Sequence, residues 1–207
     1  MANRKKALRG AIKPRLHSPL LKGENKLQDV LDLCKIIEQP LLPWQEFVLK
    51  DMLTVDKEGM WVHRTNLLLI ARQNGKTHLA RMLILAHLIK WPSRNILIMS
   101  SNRSMALDTF RQIAYLLESN DHLKGFVKQI RHANGTESIE MLDGTRLDVV
   151  AASVTGTLDA DDPTLYLQSP YALSPDDLKK EERCTETIIG RKDSRSPDST
   201  TPCSATF

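Results

Sequence analysis

Apolar and polar residues alternate along the middle of the chain with two different spacings. The segment KLQDVLDLCKIIEQ carries apolar residues at helical spacing and stops at Pro40, which predicts an amphipathic helix. LPWQEFVLKDML predicts a second helix, because proline is favoured in the first turn and Pro43 stands there. NLLLIA (66–71) is a continuous apolar run, as expected of a strand buried on both faces.

The alternation continues through three further segments. Residues 77–90 have helical spacing up to Pro92, NILIMSS (95–101) reads as a second buried strand, and residues 104–119 as another amphipathic helix. Residues 138–153 predict a hairpin around Asp143-Gly144. Strand and helix in this order predict an α/β fold: a mainly parallel sheet flanked by helices with right-handed crossovers.

Composition divides the chain into three regions. Residues 27–157 hold the periodic segments, and residues 158–207 are rich in Ser, Thr, Pro and Asp, which predicts a disordered tail of low hydrophobicity. Residues 1–26 form a basic arm with Glu24 as its single acid. Its basic residues are Arg4, Lys5, Lys6, Arg9, Lys13, Arg15, Lys22 and Lys26. Such an arm either lies along nucleic-acid phosphates or is a solvated terminus.

The overall composition narrows the class of protein. Hydrophobic residues make up 41% and charged residues 26%, which is typical of a soluble globular protein. No apolar run approaches the ~20 residues of a membrane span, so no membrane partner is expected. The three cysteines lie far apart without zinc-ligand spacing, which favours a reduced, cytoplasmic setting.

The segment between the first predicted strand and its following helix ends in Gly-Lys-Thr. A phosphate-binding loop needs a tight turn, a lysine that reaches the phosphates and a hydroxyl that ligates Mg²⁺. Gly75, Lys76 and Thr77 supply these three groups, and the helix adds its positive dipole end. Ile70 stands where the usual pattern begins with glycine. The alternative is a plain strand-to-helix turn with an exposed lysine.

ARQNGKT together with the upstream LLPWQ resembles the large terminase subunits of tailed bacteriophages, the motors that drive DNA into the capsid. Loops of that family look like RQxGKS/T and also lack the leading glycine. NILIMSSNRSMALDTFRQI is similar to the family's second strand and helix, and SIEMLDGTRLDVVAASVTGT to the hairpin before its acidic motif. The resemblance covers about residues 40–157.

The resemblance implies a P-loop NTPase fold that binds ATP and Mg²⁺. The implied ATP-binding residues are Gln45, Arg72, Gln73, Asn74, Gly75, Lys76 and Thr77. Gln45 corresponds to the family's adenine-reading glutamine, since an amide can pair with adenine at two atoms. Arg72 corresponds to a loop arginine that acts on the γ-phosphate as a finger supplied in cis, and Thr77 is the Mg²⁺ ligand. From the residues alone, Gln45 is an ordinary polar residue near a helix start, and Arg72 a salt-bridge partner.

The resemblance also implies partners and a location. Relatives act on double-stranded DNA, together with a small terminase subunit and the capsid portal, and work as rings. A DNA-binding homo-oligomer in the cytoplasm of a bacterial host, encoded by a phage or prophage, is therefore expected.

One part of the family's catalytic machinery is not found in the sequence. Hydrolysis needs an aspartate that holds Mg²⁺ and a glutamate that orients water, at the end of an apolar strand. In the family this pair follows shortly after the position of Gly156-Thr157. Here the strand-like fragment 164–167 is followed by Gln168 and Ser169. ATP hydrolysis is therefore doubtful, and we expect either a truncated or frame-disrupted terminase product or an authentic short variant. A helicase-like ATPase and a non-catalytic DNA- or nucleotide-binding remnant are the alternatives.

Overall fold

A seven-stranded mixed sheet organises the chain. The structure, a computed structural model, describes residues 10–63, 65–71, 73–91, 95–100, 103–133, 135–151, 165–169 and 184–191. The strands are β1 Thr65–Ala71, β2 Asn95–Ser100, β3 Val127–Arg131, β4 Ser138–Met141, β5 Arg146–Ala151, β6 Leu165–Ser169 and β7 Cys184–Arg191. The helices are α1 Leu27–Ile36, α2 Pro43–Met52, α3 Lys76–Ile89, α4 Arg103–Ser119 and α5 Asp121–Lys124. The predicted α/β class is confirmed.

The strands are ordered β1-β7-β6-β2-β5-β4-β3 across the sheet. Among the described strands, two neighbouring pairs are parallel, β2 with β5 and β2 with β6. The other neighbouring pairs are antiparallel, so the expectation of a mainly parallel sheet was wrong for the pairing. Because β7 runs antiparallel to both β1 and β6, the strands β1, β6, β2 and β5 nevertheless point the same way. Their carboxyl ends therefore lie at one edge of the sheet.

Two strands come from the segment that the sequence predicts to be a disordered tail. β6 and β7 lie within residues 158–207 and pair with each other and with strands of the middle region. β6 agrees with the strand-like fragment at 164–167, whereas the sequence does not predict a strand at β7. Short runs such as TETII have enough β-forming residues once other strands flank them. The sheet thus crosses the boundary placed at residue 157. The rest of residues 158–207 lies outside the described residues.

The helices share one hydrophobic core with the sheet. α3 has buried residues around most of its circumference, as expected of a helix that lies between neighbours, and it contacts both α1 and α4. On the sheet, Ile96 and Ile98 of β2 and Leu147 and Val149 of β5 belong to this core. The intervening Asp148 is only partly buried, and Val150 is 37% exposed. The predicted hairpin around Asp143-Gly144 is confirmed as β4 and β5.

The two strands that were expected to be buried on both faces differ. β2 is almost wholly buried, which confirms the prediction there. In β1 exposed residues alternate with half-buried ones, and Leu67 and Leu69 are more than half exposed. The prediction was therefore wrong for β1. It lies at the end of the strand order and has one neighbour among the described strands, whereas β2 has two.

Candidate functional site

The Gly-Lys-Thr segment forms a tight turn between β1 and α3. β1 ends at Ala71 and α3 begins at Lys76. Gln73 and Gly75 both have positive φ angles, of 61° and 84°, so the chain reverses direction through two left-handed residues. Asn74 supports the turn, because its Nδ2 donates to the Ala71 carbonyl oxygen at 3.1 Å. Arg72 lies outside the described residues.

The beginning of α3 has no side-chain cap. Gly75 is the N-cap and has no side chain that could accept from the helix, and the first turn contains no acidic residue. The first N–H groups of any helix lack acceptors within the helix, and they carry the positive end of its dipole. Lys76 is half-buried and Thr77 is exposed. A strand running through Gly75–Thr77, or its burial, would have ruled out an anion site, and neither is present.

Gln45 reaches the same loop from α2. Its side chain is fully buried at 0% exposure. The Oε1 atom accepts from the Leu42 N–H at 2.7 Å, and Nε2 donates to the Gly75 carbonyl oxygen at 2.8 Å. The glutamine therefore closes the start of α2 and holds the loop that precedes α3. Glutamine is favoured three residues after the N-cap of a helix, and Gln45 stands there relative to Leu42. The sequence therefore indicates the contact with Leu42 but not the contact with Gly75.

A second contact fixes α3 beside the segment before α2, through two residues that sequence reasoning did not identify. The His78 Nε2 lies 3.2 Å from the Pro40 carbonyl oxygen, and Arg81 Nη2 lies 3.2 Å from His78 Nδ1. With Nε2–H donating to Pro40, Nδ1 is the acceptor for Arg81. Burial, and then the Arg81 charge, lower the pKa of His78, so this neutral tautomer is favoured. Burial also lowers the pKa of Arg81. Only the pairing of distant segments reveals this contact.

The carboxyl edge of the sheet carries other polar groups. Gln168 and Ser169 are the last two residues of β6, where an aspartate and a glutamate were expected. At the start of α4, Arg103 forms an ion pair with Glu137, which is 6% exposed and also accepts from the Gly135 N–H at 3.1 Å. In the part of the chain that the structure describes, no group of three or more His, Cys, Asp or Glu residues is arranged to hold a metal ion.

The basic arm is described from residue 10 onward. Residues 10–24 are exposed throughout. The arm joins the rest of the protein at its end, where Lys26 Nζ lies 5.0 Å from the centroid of the Trp61 ring and the Leu21 N–H donates to Asp51 Oδ1 at 3.2 Å. None of the described helices combines the length and apolar character needed to cross a membrane.

Comparison with known proteins gives one structural likeness. No model of a known protein family matches the chain, and no curated protein matches it. Among solved structures, it is similar to the crystal structure of the HK97 bacteriophage large terminase, with a TM-score of 0.47 and 22% sequence identity. The match covers 65% of this chain and 28% of that chain. This chain therefore matches less than a third of the length of the solved terminase.

Of the site residues predicted from the sequence, the structure brings most together. Gln45 contacts Gly75 directly, and the residues from Gln73 to Thr77 form the turn and the first residues of α3. Their geometry is that of a strand, a tight loop and a helix start. What this arrangement can do chemically is to present backbone N–H groups, an ammonium group and a hydroxyl to an anion.

Proposed function

We propose that the loop from Arg72 to Thr77 binds the phosphates of ATP, and that the chain is the ATPase region of a terminase-like DNA-packaging motor. The observation that carries the proposal is Gly75 at a left-handed N-cap, followed directly by Lys76 and Thr77 in the first turn of α3. This geometry aims the helix N-terminus at the carboxyl edge of the sheet, where α/β proteins bind ligands.

Each residue of the loop has a proposed task. The backbone N–H groups at the start of α3 and the Lys76 ammonium would hold the β- and γ-phosphates. The Thr77 hydroxyl would ligate Mg²⁺, which neutralises charge on the phosphates when it is bound. Arg72 would act on the γ-phosphate as a finger in cis. The adenine-reading role of Gln45 stays a prediction from the resemblance.

The residues at the end of β6 bear on hydrolysis. The end of β6 carries Gln168 and Ser169, and an amide and a hydroxyl neither hold Mg²⁺ as an aspartate does nor orient water as a glutamate does. We therefore propose nucleotide binding with slow or absent turnover. Double-stranded DNA, a small terminase subunit, the capsid portal, a ring of copies and the cytoplasm of a bacterial host remain proposals that rest on the sequence resemblance.

The test is Mg²⁺-dependent binding of labelled ATP by the parent chain and by Lys76→Ala. Loss of a charge-assisted contact is expected to weaken binding by about 1.5–3 kcal/mol, or roughly 10- to 150-fold. Lys90→Ala is the matched control, because Lys90 is exposed at the opposite end of the same helix. Equal binding by the parent and Lys76→Ala would refute the loop assignment. Turnover above background that Lys76→Ala abolishes would refute the proposed catalytic weakness.

A helicase-like ATPase shares the glutamine and the phosphate loop. The early Arg72 and the absence of a leading glycine favour the terminase proposal. ATP-dependent unwinding of a DNA duplex by the protein would reverse that preference. A non-catalytic DNA-binding remnant would instead bind DNA without any effect of Lys76→Ala on nucleotide binding.

A further inference from the structure

Gln45 is a polar side chain with no exposure to solvent, and both ends of its amide are used inside the protein. A buried amide is costly unless it is hydrogen-bonded. Oε1 accepts from Leu42 N–H at 2.7 Å, and Nε2 donates to the Gly75 carbonyl oxygen at 2.8 Å. The two contacts lie on different segments, so the side chain ties the start of α2 to the loop before α3.

The contact with the loop depends on a glycine. A Cβ atom built on Gly75 would lie 2.9 Å from Gln45 Nε2, which is closer than ordinary packing allows. The same residue has a φ of 84°, a conformation that side chains disfavour. Gln45 and Gly75 are therefore matched, and the close approach of the amide uses the space that a larger residue would fill.

The bonded carbonyl occupies a decisive position in the loop. The Gly75 oxygen also accepts the first helical hydrogen bond of α3, from the Leu79 N–H at 3.1 Å. Because the peptide unit is planar and trans, its C=O and the following N–H point in opposite directions. Holding the Gly75 oxygen toward Gln45 and Leu79 therefore directs the Lys76 N–H the other way, along the helix axis and out of the N-terminus of α3.

We propose that Gln45 is a positioning residue for the phosphate-binding loop, which sets nucleotide affinity through the phosphates whatever base is attached. The inference rests on the proposed function and differs from adenine reading. Adenine would need the two polar atoms that Leu42 and Gly75 occupy in this structure. A positioning residue should change the binding of every ligand that carries the triphosphate by the same factor.

The experiment measures dissociation constants of the full chain for Mg²⁺-ATP, Mg²⁺-GTP and inorganic tripolyphosphate. Gln45→Glu keeps the Oε1 acceptor for Leu42 but places an oxygen against the Gly75 carbonyl. We expect binding of all three ligands to weaken by about tenfold, because the Gly75 oxygen loses the donor that Gln45 supplied and faces a second oxygen instead. Gln112→Glu is the control, since it makes the same charge change at an exposed position on α4. A loss confined to ATP, or no loss for tripolyphosphate, would overturn the proposal in favour of base reading.

A second readout does not need a ligand. Amide hydrogen exchange at Leu79, whose N–H donates to the Gly75 oxygen, should accelerate in Gln45→Glu. It should also accelerate in Gln45→Met, which keeps the volume without a charge and serves if the glutamate variant does not fold. Unchanged exchange in a folded variant would overturn the positioning role. If the parent binds none of the three ligands, the proposed function fails, whereas the exchange measurement still decides the role of Gln45.

The glutamate variant offers a rescue that separates positioning from a general loss of stability. A protonated carboxyl group can donate a hydrogen bond to the Gly75 oxygen, whereas the carboxylate cannot. The weakening relative to the parent should therefore shrink as the pH falls from 8 toward 5, about one unit above the ordinary pKa of a glutamate. A ratio that stays constant over this range would contradict the donor role of Nε2.

Discussion

β1 and β2 have nearly the same composition and different surroundings. β1 is TNLLLIA and β2 is NILIMS, and each precedes a helix on the chain. β2 lies between β5 and β6, and Leu97 at its centre is 2% exposed. β1 lies at the end of the strand order beside β7, and its Leu67 is 59% exposed. Two runs that look alike in the sequence thus occupy unlike positions in the sheet.

The difference teaches that a continuous apolar run indicates a strand but not how completely it is covered. Coverage depends on how many strands and helices lie against it, and these come from distant parts of the chain. The strand that leads into the candidate loop is the less covered one. Its exposed leucines, Leu67 and Leu69, lie two residues apart and therefore on the same face of the sheet.

The largest expected effect comes from the same substitution in the two strands. Leu97→Ala should lower the free energy of unfolding by about 2–5 kcal/mol, because it truncates a side chain that is 2% exposed and leaves a cavity on that face of the sheet. Leu67→Ala should cost less than about 1 kcal/mol, since most of its side chain is already in water. Urea unfolding of both variants measures the difference. Equal costs would mean that β1 is as covered in solution as β2.

Two ion pairs, one with a buried carboxylate and one exposed to solvent, allow the same comparison between buried and exposed positions. Arg103→Ala should cost about 1–3 kcal/mol, because it leaves the buried Glu137 carboxyl group without its guanidinium partner. Arg146→Ala is the counterpart on an exposed pair with Asp148, where the hydrogen bond to that carboxylate raises the pKa of Arg146. Its cost should stay below about 1 kcal/mol. Unfolding curves showing the reverse order would contradict the assigned burial.

Gly75 in the loop after β1 can be compared with Gly59, which lies in a turn before β1. Gly75→Ala should destabilise by about 1–2 kcal/mol from its positive φ alone, and further through the contact with Gln45. Gly59→Ala is the matched control, since Gly59 has a φ of 77° and nothing within 4 Å of an added Cβ. The excess cost of Gly75→Ala in thermal unfolding measures the contact. The absence of any excess would show that Gln45 moves aside freely.

The smallest expected effect at neutral pH concerns Cys34 in the helix layer. Burial, and then the charge of Glu46, raise the pKa of its thiol from 9.0 to about 11. The folded state therefore retains the proton more strongly, and its stabilising effect is present below pH 9 and lost as the pH rises from 9 to 11. A variant with Cys184→Ser and Cys203→Ser should lose stability in this window relative to one that also carries Cys34→Ala.

An aromatic disulfide reagent at pH 8 should label Cys34 only on unfolding, and rapid labelling of the folded protein would contradict its burial.

The local sequence pattern predicted most residues of the candidate site, but few of the contacts that hold the loop in place. Gly75, Lys76 and Thr77 were recognisable because a phosphate loop is a short contiguous motif between a strand and a helix. The contact between Gln45 and Gly75 joins residues 30 positions apart, and His78 meets Pro40 across 38. Such contacts depend on how the helices pack against each other. The spacing of apolar residues within one helix does not show which other segment it will contact.

The sequence by itself determined the periodic elements, the hairpin at Asp143-Gly144, and the loop with its ammonium and hydroxyl groups, because each depends on residues close together in the chain. Only the tertiary structure decided that β7 separates β1 from β6, that β1 is exposed while β2 is buried, and that Gln45 faces inward onto the loop. The physical reason is that strand order, burial and side-chain partners are set by contacts between distant segments. The free energy of those contacts does not appear in any local pattern.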